Sequence, residues 1–257
     1  MSQILLINDF VSRGKIAGNM VDPVLSHAGH DVYFLPTALI SHNFSLGNVA
    51  MLDTNKYIED CLNVWKKLDF NFDLVFIGYI ENIEQKNIIV NYLKSMSDQA
   101  LVIVDPIMGD DGSLYPGLGD EKIQIYKEIL AYADIIIPNH TEASLLDLDN
   151  FDDLLDDDKK YVITSIEEDE NSYTLGISDK LHKVFYEKLD AKYAGTGDLF
   201  DGLFINYYLD TCDFNLSVEK TVEDMSKILS IQNEDYKDNI SIAIEAILPK
   251  IGGACHA

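Results

Sequence analysis

Ala100-Leu101-Val102-Ile103-Val104-Asp105-Pro106-Ile107-Met108-Gly109-Asp110-Asp111-Gly112 passes from a wholly apolar run into a loop of aspartate, proline and glycine. The first five residues are apolar at consecutive positions, without the alternation of a half-exposed strand. They read as a strand buried on both faces, which requires helices above and below the sheet. Working outward, Gln3–Ile7, Val32–Leu35, Asp73–Ile77, Asp134–Ile137 and Tyr161–Thr164 have the same character, and helical patterns lie between most of them. The expectation is an α/β fold with a layered, mostly parallel central sheet. Farther on, Tyr173–Ile177 and Lys183–Glu187 resemble a pair of strands, followed by helical stretches near 197–210, 216–233 and 239–249. No linker or internal repeat divides the chain, so one domain over residues 1–257 is expected.

Composition narrows the partners. With 257 residues, 47% of them hydrophobic, the chain has ample material for a core. It carries 44 acidic side chains against 19 basic ones, a net charge of -25. Phosphate backbones and anionic lipid surfaces repel such a protein, so neither nucleic acid nor membrane is expected as a partner. Arg13 is the single arginine, so repeated guanidinium clamps on phosphate are not available. Cys61, Cys212 and Cys255 lack Cys-x-x-Cys spacing, and the first residues have no basic stretch leading into a long apolar run. A reduced, cytoplasmic protein is the expectation. The acidic segment Asp152–Asp158 and the turn Glu167–Asn171 read as solvated charge.

Ligands in doubly wound sheets gather beyond the carboxyl ends of the strands, so the loops there come first. Gly195-Thr196-Gly197-Asp198 opens a helix. Its glycines let backbone approach a ligand, and the helix N-terminus offers amides to an anion. Asp198 beside those amides is suited to take a proton from an attacking hydroxyl. The same residues also serve as an ordinary helix cap, and spacing alone leaves the two readings level. Asp105 and Asp110 flank a loop that can present hard oxygens to a hydrated Mg²⁺ carrying nucleotide phosphates. Asn139 and Glu142 stand three apart at a helix start, the spacing of a capping box as well as of a shared ion or phosphate site.

Other chemistries lose ground. There is no G-x-x-x-x-G-K-[ST] loop, no G-x-G-x-x-G after the first strand and no G-x-S-x-G elbow. His27 and His30 share a helix face, but Gly29 between them ends the helix, which argues against zinc.

Gly195-Thr196-Gly197-Asp198-Leu199-Phe200, the run Val104–Asp110, and Ala133–Asn139 followed by Glu142-Ala143 together resemble the pyridoxal kinases of the ribokinase-like superfamily, in order as well as in wording. Asn8-Asp9-Phe10 through Lys15, Leu25–His30, Leu35-Pro36-Thr37-Ala38 and Gly78-Tyr79 extend the resemblance from about residue 3 to about residue 232. It implies a three-layer αβα sandwich, usually in a homodimer, where ATP meets a vitamin B6 alcohol over the sheet's carboxyl edge. By the same resemblance Asp198 is the base, and the amides of Gly195, Thr196 and Gly197 stabilise the transferring phosphoryl group. Asp105, Asn139, Glu142, Thr164, Ser165 and Thr196 fall at nucleotide positions, with K⁺ near Thr164 and Ser165. Asp105, Asp110 and Glu142 fall where Mg²⁺ is held. Asp9, Asn43 and Tyr79 fall around the substrate ring, Asp9 pairing with its nitrogen.

The sequence departs from that pattern at Asp9, where serine is common, and across Ser41-His42-Asn43-Phe44-Ser45, where Ser-Asn-His-Thr-Gly is common. Ile137 likewise stands where threonine is frequent. A hydroxymethylpyrimidine kinase of thiamine synthesis is the alternative, since its substrate is also an aromatic nitrogen ring with a primary alcohol. A non-catalytic vitamer or nucleotide sensor is a second. For a chain of this acidity, ATP binding is expected to depend steeply on Mg²⁺.

Overall fold

The computed structural model describes residues 1–43, 46–96, 100–189 and 191–251. The chain runs β1 (Gln3–Val11), α1 (Gly18–His27), β2 (Asp31–Ile40), β3 (Met51–Asp53), α2 (Asn55–Lys67), β4 (Leu74–Ile77), α3 (Ile83–Leu93) and β5 (Leu101–Val104). A small hairpin of β6 (Gly109–Asp110) and β7 (Ser113–Leu114) precedes α4 (Asp120–Ile129), β8 (Ile135–Ile136), α5 (His140–Leu145) and β9 (Lys160–Glu168). Then come β10 (Asn171–Ile177), β11 (Leu181–Tyr186), α6 (Thr196–Thr211), α7 (Phe214–Asp235) and α8 (Ile244–Ile247).

Nine strands form one sheet in the order β11-β10-β9-β8-β5-β4-β1-β2-β3. The six from β9 to β2 are parallel, and antiparallel strands close both edges. Consecutive apolar residues on the parallel strands serve opposite layers. Leu5, Ile7, Val75, Ile77, Val102 and Val104 pack with Ile58 and Leu62 of α2, Ile89 of α3, and Ile125 and Ile129 of α4. Ile4, Leu6, Leu74, Phe76 and Ile103 pack with Val21 and Leu25 of α1, Phe200 and Phe204 of α6, and Val218 of α7. The three-layer αβα arrangement expected from the sequence is therefore present. No described helix is long and apolar enough to cross a membrane.

From β1 the chain crosses first to β2 on one side and later to β4 on the other. The strand order reverses there, which opens a crevice at the carboxyl ends of β1 and β4. The first two strands also run longer than their apolar cores suggest. β1 and β2 stay paired through Val11 and Ile40, with a register shift between Asn8 and Phe10. Asp9 therefore lies on a strand and not in a loop. β9 likewise continues to Glu168, because it turns at Asp169, with φ of +56°, into antiparallel pairing with β10. The helix expected over 239–249 is much shorter. Residues before Ile244 are irregular, Ser241 bridges to Ala194, and Pro249 sits in a 3₁₀ turn that ends the segment.

Candidate active site

The carboxyl edge is built around the start of α6. Gly195 precedes that helix at φ of +87°, and a Cβ placed on it would come within 2.4 Å of the Lys15 carbonyl oxygen. Only glycine fits, because both the left-handed backbone and the packed loop after β1 exclude a side chain. The N-cap residue is this glycine, so no N-cap side chain satisfies the first amides. Gly197 has open space above it, with nothing within 4 Å of a Cβ position.

Asp198 lies one residue deeper and is buried. Burial raises its proton affinity above the ordinary carboxylate value, while the backbone amides of Ala17 and of Asp198 itself and the nearby Asn8 carboxamide oppose the rise. Asn8 Nδ2 approaches this carboxylate without completing a hydrogen bond and is one of the buried side-chain nitrogens left unpartnered. A raised proton affinity suits a group that must accept a proton near neutral pH.

Asp105 follows β5, also buried, and faces the carboxyl of Asp201 one helical turn beyond Asp198. Burial pushes both carboxyls well above their ordinary values; the charge of Asp201 adds to the rise at Asp105, and those of Asp198 and Glu142 add to it at Asp201. Oδ2 of Asp201 has no hydrogen-bond partner. The sequence reading missed Asp201, although an acid three residues after Asp198 in the otherwise apolar stretch Leu199–Phe204 was a usable signal.

Asn139 and Glu142 form the full capping box of α5. Asn139 Oδ1 accepts from the Glu142 amide at 3.0 Å, and Glu142 Oε2 accepts from the Asn139 amide at 3.0 Å. Glu142 Oε1 also accepts from the amides of Met108 at 2.9 Å and Gly109 at 3.3 Å, and Asn139 Nδ2 donates to the Gly109 carbonyl at 2.8 Å. The pair thus latches the loop after β5 onto α5. Backbone amides approach both oxygens of Glu142, so in this structure the side chain serves the loop as a latch. Asp110 is exposed and caps the Asp111 amide at 2.8 Å. Among the described residues no group of three or more acidic, histidine or cysteine side chains is arranged to hold a metal. The donors nevertheless suit Mg²⁺. The ion keeps several waters and needs only one or two carboxylates beside substrate phosphates, and Asp105 with the unpartnered Asp201 oxygen offers those.

On the substrate side, Asn8 Oδ1 accepts from the amides of both Asp9 and Tyr79 at 2.9 Å, joining the ends of β1 and β4. Asp9 is buried, and its pKa is pushed up to about 8, first by burial and then by Asp198. The rise favours the neutral carboxyl, a donor towards an unprotonated ring nitrogen, over the expected carboxylate partner for a protonated one. Tyr79 is clamped by the Thr37 hydroxyl, which donates to its carbonyl at 2.7 Å, and its own hydroxyl donates to Glu81. Asn43 lies in the loop after β2, where its carbonyl accepts from the Leu46 amide at 3.1 Å. Phe44 and Ser45, part of the same departure from the familiar pattern, fall outside the described residues.

Thr164 and Ser165 sit within β9 and not after it, Thr164 donating its amide to the Pro138 carbonyl at 3.0 Å, Ser165 at φ of +59°. Asn139 bridges to Thr164, so both reach the same stretch of edge. Arg13 is exposed and, among the described residues, has no ion-pair partner. It lines a cavity of about 740 Å³ with Phe10, Lys15, Asn239 and Ser241.

An edge of this kind lets an anion settle on helix amides while a neighbouring hydroxyl gives up a proton, which is the chemistry of small-molecule phosphotransferases. The sequence profile described as phosphomethylpyrimidine kinase matches residues 25–200, well over half of the chain. The chain belongs to the phosphomethylpyrimidine kinase family. It is 27% identical over 277 residues to a pyridoxal kinase of Dictyostelium discoideum, covering 93% of this chain and 88% of that one. A Bacteroides thetaiotaomicron protein assigned as a phosphomethylpyrimidine kinase, crystallised with pyridoxal, superposes with a TM-score of 0.86 at 25% identity, covering 98% of this chain and 96% of that one. The pyridoxal kinase of Leishmania donovani in complex with ADP and pyridoxamine superposes with a TM-score of 0.82 over 97% of this chain and 95% of that one. Its identity is 20%, so that likeness speaks for the fold.

Proposed function

We propose that the chain transfers the γ-phosphoryl group of ATP to the 5′-hydroxymethyl group of pyridoxal, pyridoxine or pyridoxamine. The observation that carries this reading is Asp198, buried on the uncapped N-terminal turn of α6 beside a glycine that tolerates no side chain. Asp198 takes the hydroxyl proton as that oxygen attacks, and the amides of Gly195, Thr196 and Gly197 stabilise charge on the phosphoryl oxygens. Asn139, Thr164, Ser165 and Thr196 border the nucleotide. Asp9, Asn43 and Tyr79 border the vitamer ring. Mg²⁺ is held by Asp105 and Asp201 with water and phosphates, where it neutralises the triphosphate, and K⁺ binds near Thr164 and Ser165. A homodimer in the cytoplasm completes the reading, with Leu39, Met51 and Leu52 on the exposed β2–β3 edge as its apolar surface.

The test is turnover of pyridoxal with ATP and Mg²⁺, read as pyridoxal phosphate formed. Asp198→Asn should lower kcat about 10²–10⁴-fold. An unchanged rate would remove Asp198 from the chemistry.

Protonated Asp9 also favours a second reading, a hydroxymethylpyrimidine as substrate, because a pyrimidine nitrogen accepts the hydrogen bond that a neutral carboxyl donates. Side-by-side kcat/KM values for the two alcohols decide between them.

A further inference from the structure

Lys122 occupies a core position of α4. It shares a face with Ile125, Tyr126 and Ile129, and only 5% of it is exposed. Lysine is rarely found so deep, because desolvating an ammonium is costly unless contacts compensate. Three contacts do so. Nζ donates to the carbonyls of Ile80 at 2.5 Å and Glu81 at 2.9 Å, and it lies 4.4 Å from the centroid of the Tyr79 ring. Burial lowers its pKa to about 8, with Glu81, Glu121 and Asp9 opposing the fall, so the ammonium is mostly charged at neutral pH.

Every part of Tyr79 is therefore fixed from a different element. Asn8 of β1 holds its amide, Thr37 of β2 its carbonyl, Glu81 its hydroxyl, and Lys122 of α4 one face of its ring. Tyr126, one turn along the same helix, reinforces the loop by donating to the Gly78 carbonyl at 2.9 Å and accepting from the Ile80 amide at 3.2 Å. A buried cation on one face leaves a ligand only the other face or the edge of the ring. It also draws π density towards itself, so the remaining face attracts a second cation less.

We infer that Lys122 is a positioning residue that sets substrate charge: by backing the Tyr79 ring, it makes the pocket select a neutral nitrogen heterocycle over a cationic pyridinium. This rests on the vitamin-kinase reading of the site. The nearby Asp9, whose proton affinity is raised by burial, acts in the same sense, since a neutral carboxyl has a hydrogen bond to give and no charge to pair.

The test compares pyridoxine with its N-methylpyridinium analogue, which keeps the primary alcohol and adds a fixed charge. Turnover of pyridoxine by the wild type checks the vitamin-kinase reading by itself, and absence of turnover would remove that reading. The ratio of KM values tests Lys122. In the wild type, KM for the cation should exceed that for pyridoxine by about tenfold or more, and equal values would overturn the inference without any variant being made. Lys122→Met keeps the length and apolar stem while removing the charge. It should narrow the ratio about threefold to tenfold. Lys122→Arg should restore the ratio. A ratio unmoved by Lys122→Met in a folded variant would show that the lysine only supports the loop, and would overturn the proposal. Should Lys122→Met not fold, the wild-type ratio and that of Lys122→Arg still decide.

Discussion

Asp105 and Asp201 face each other as two buried acids and join the carboxyl end of β5 to the second turn of α6. The pair leaves one Asp201 oxygen without a partner. Such an arrangement costs stability in the ligand-free protein, because two acids buried side by side lose their hydration and one oxygen stays unmet. Asp201→Asn keeps an acceptor for Asp105 and removes one of the two acids. It should stabilise the ligand-free protein by ~1–3 kcal/mol while weakening Mg²⁺-dependent ATP binding. Urea denaturation and nucleotide titration check the two halves, and a variant less stable than wild type would contradict the first.

Stability should fall as pH rises from the acid side through neutrality. Asp9, Asp105, Asp198, Asp201 and Glu142 all have raised proton affinity in the folded chain, Asp9 reaching about 8. Above the ordinary carboxylate range the unfolded chain binds fewer protons at these positions than the folded one does. Each group then contributes stability that is full at low pH and lost as pH rises through its folded pKa, by up to about 1.4 kcal/mol per pH unit. Lys122 acts in the opposite sense, but only above its folded pKa of about 8. Denaturant midpoints should therefore be higher at pH 6 than at pH 8 in the absence of nucleotide and Mg²⁺. A flat profile would contradict the burial of these acids.

Gly195→Ala should cost activity far more than stability. The new methyl would meet the Lys15 carbonyl oxygen at 2.4 Å, and alanine is strained at φ of +87°. The loop after β1 or the start of α6 must shift, which misplaces the amides and Asp198 together. The expected loss in kcat is about 10²–10³-fold, the scale seen when one donor is removed from an anion hole. Gly197→Ala, which meets nothing within 4 Å, is the internal control for packing. Equal losses in the two would argue against the Lys15 contact.

The parallel strands and the three layers were legible because burial on both faces writes consecutive apolar residues, as in Leu74–Ile77 and Leu101–Val104. The glycines and acid of Gly195–Asp198 were legible because backbone conformation and charge restrict the residue types there. β3 was not, since its three residues are exposed and exist as a strand only through pairing with β2. Asn8 gave no sign that its side chain would bridge two strands. Lys122 and Asp201 were hidden for a shared reason. A single charge on a helix reads as solvent-facing until the fold shows which face it occupies, and both turn inward onto partners distant in sequence. The helix expected over 239–249 failed because its isoleucines suggest a continuous apolar face, whereas Ser241 is drawn aside to accept the Lys15 amide at 2.9 Å.

Glu142→Gln separates a latch from a ligand. Glu142 accepts hydrogen bonds from the amides of Met108, Gly109 and Asn139, and glutamine has only one oxygen for that task. Its amide nitrogen would face a backbone N–H, so at least one buried donor loses its partner. That loss destabilises by about 1–3 kcal/mol whether or not Mg²⁺ is present. It also frees the loop that carries Asp105, so KM for ATP should rise. A direct metal ligand would behave differently, leaving the ligand-free melting temperature unchanged or raised and weakening only the Mg²⁺ response. Melting temperatures of wild type and variant, each with and without Mg²⁺ and ATP, tell these patterns apart. The latch requires a lower midpoint in the ligand-free pair.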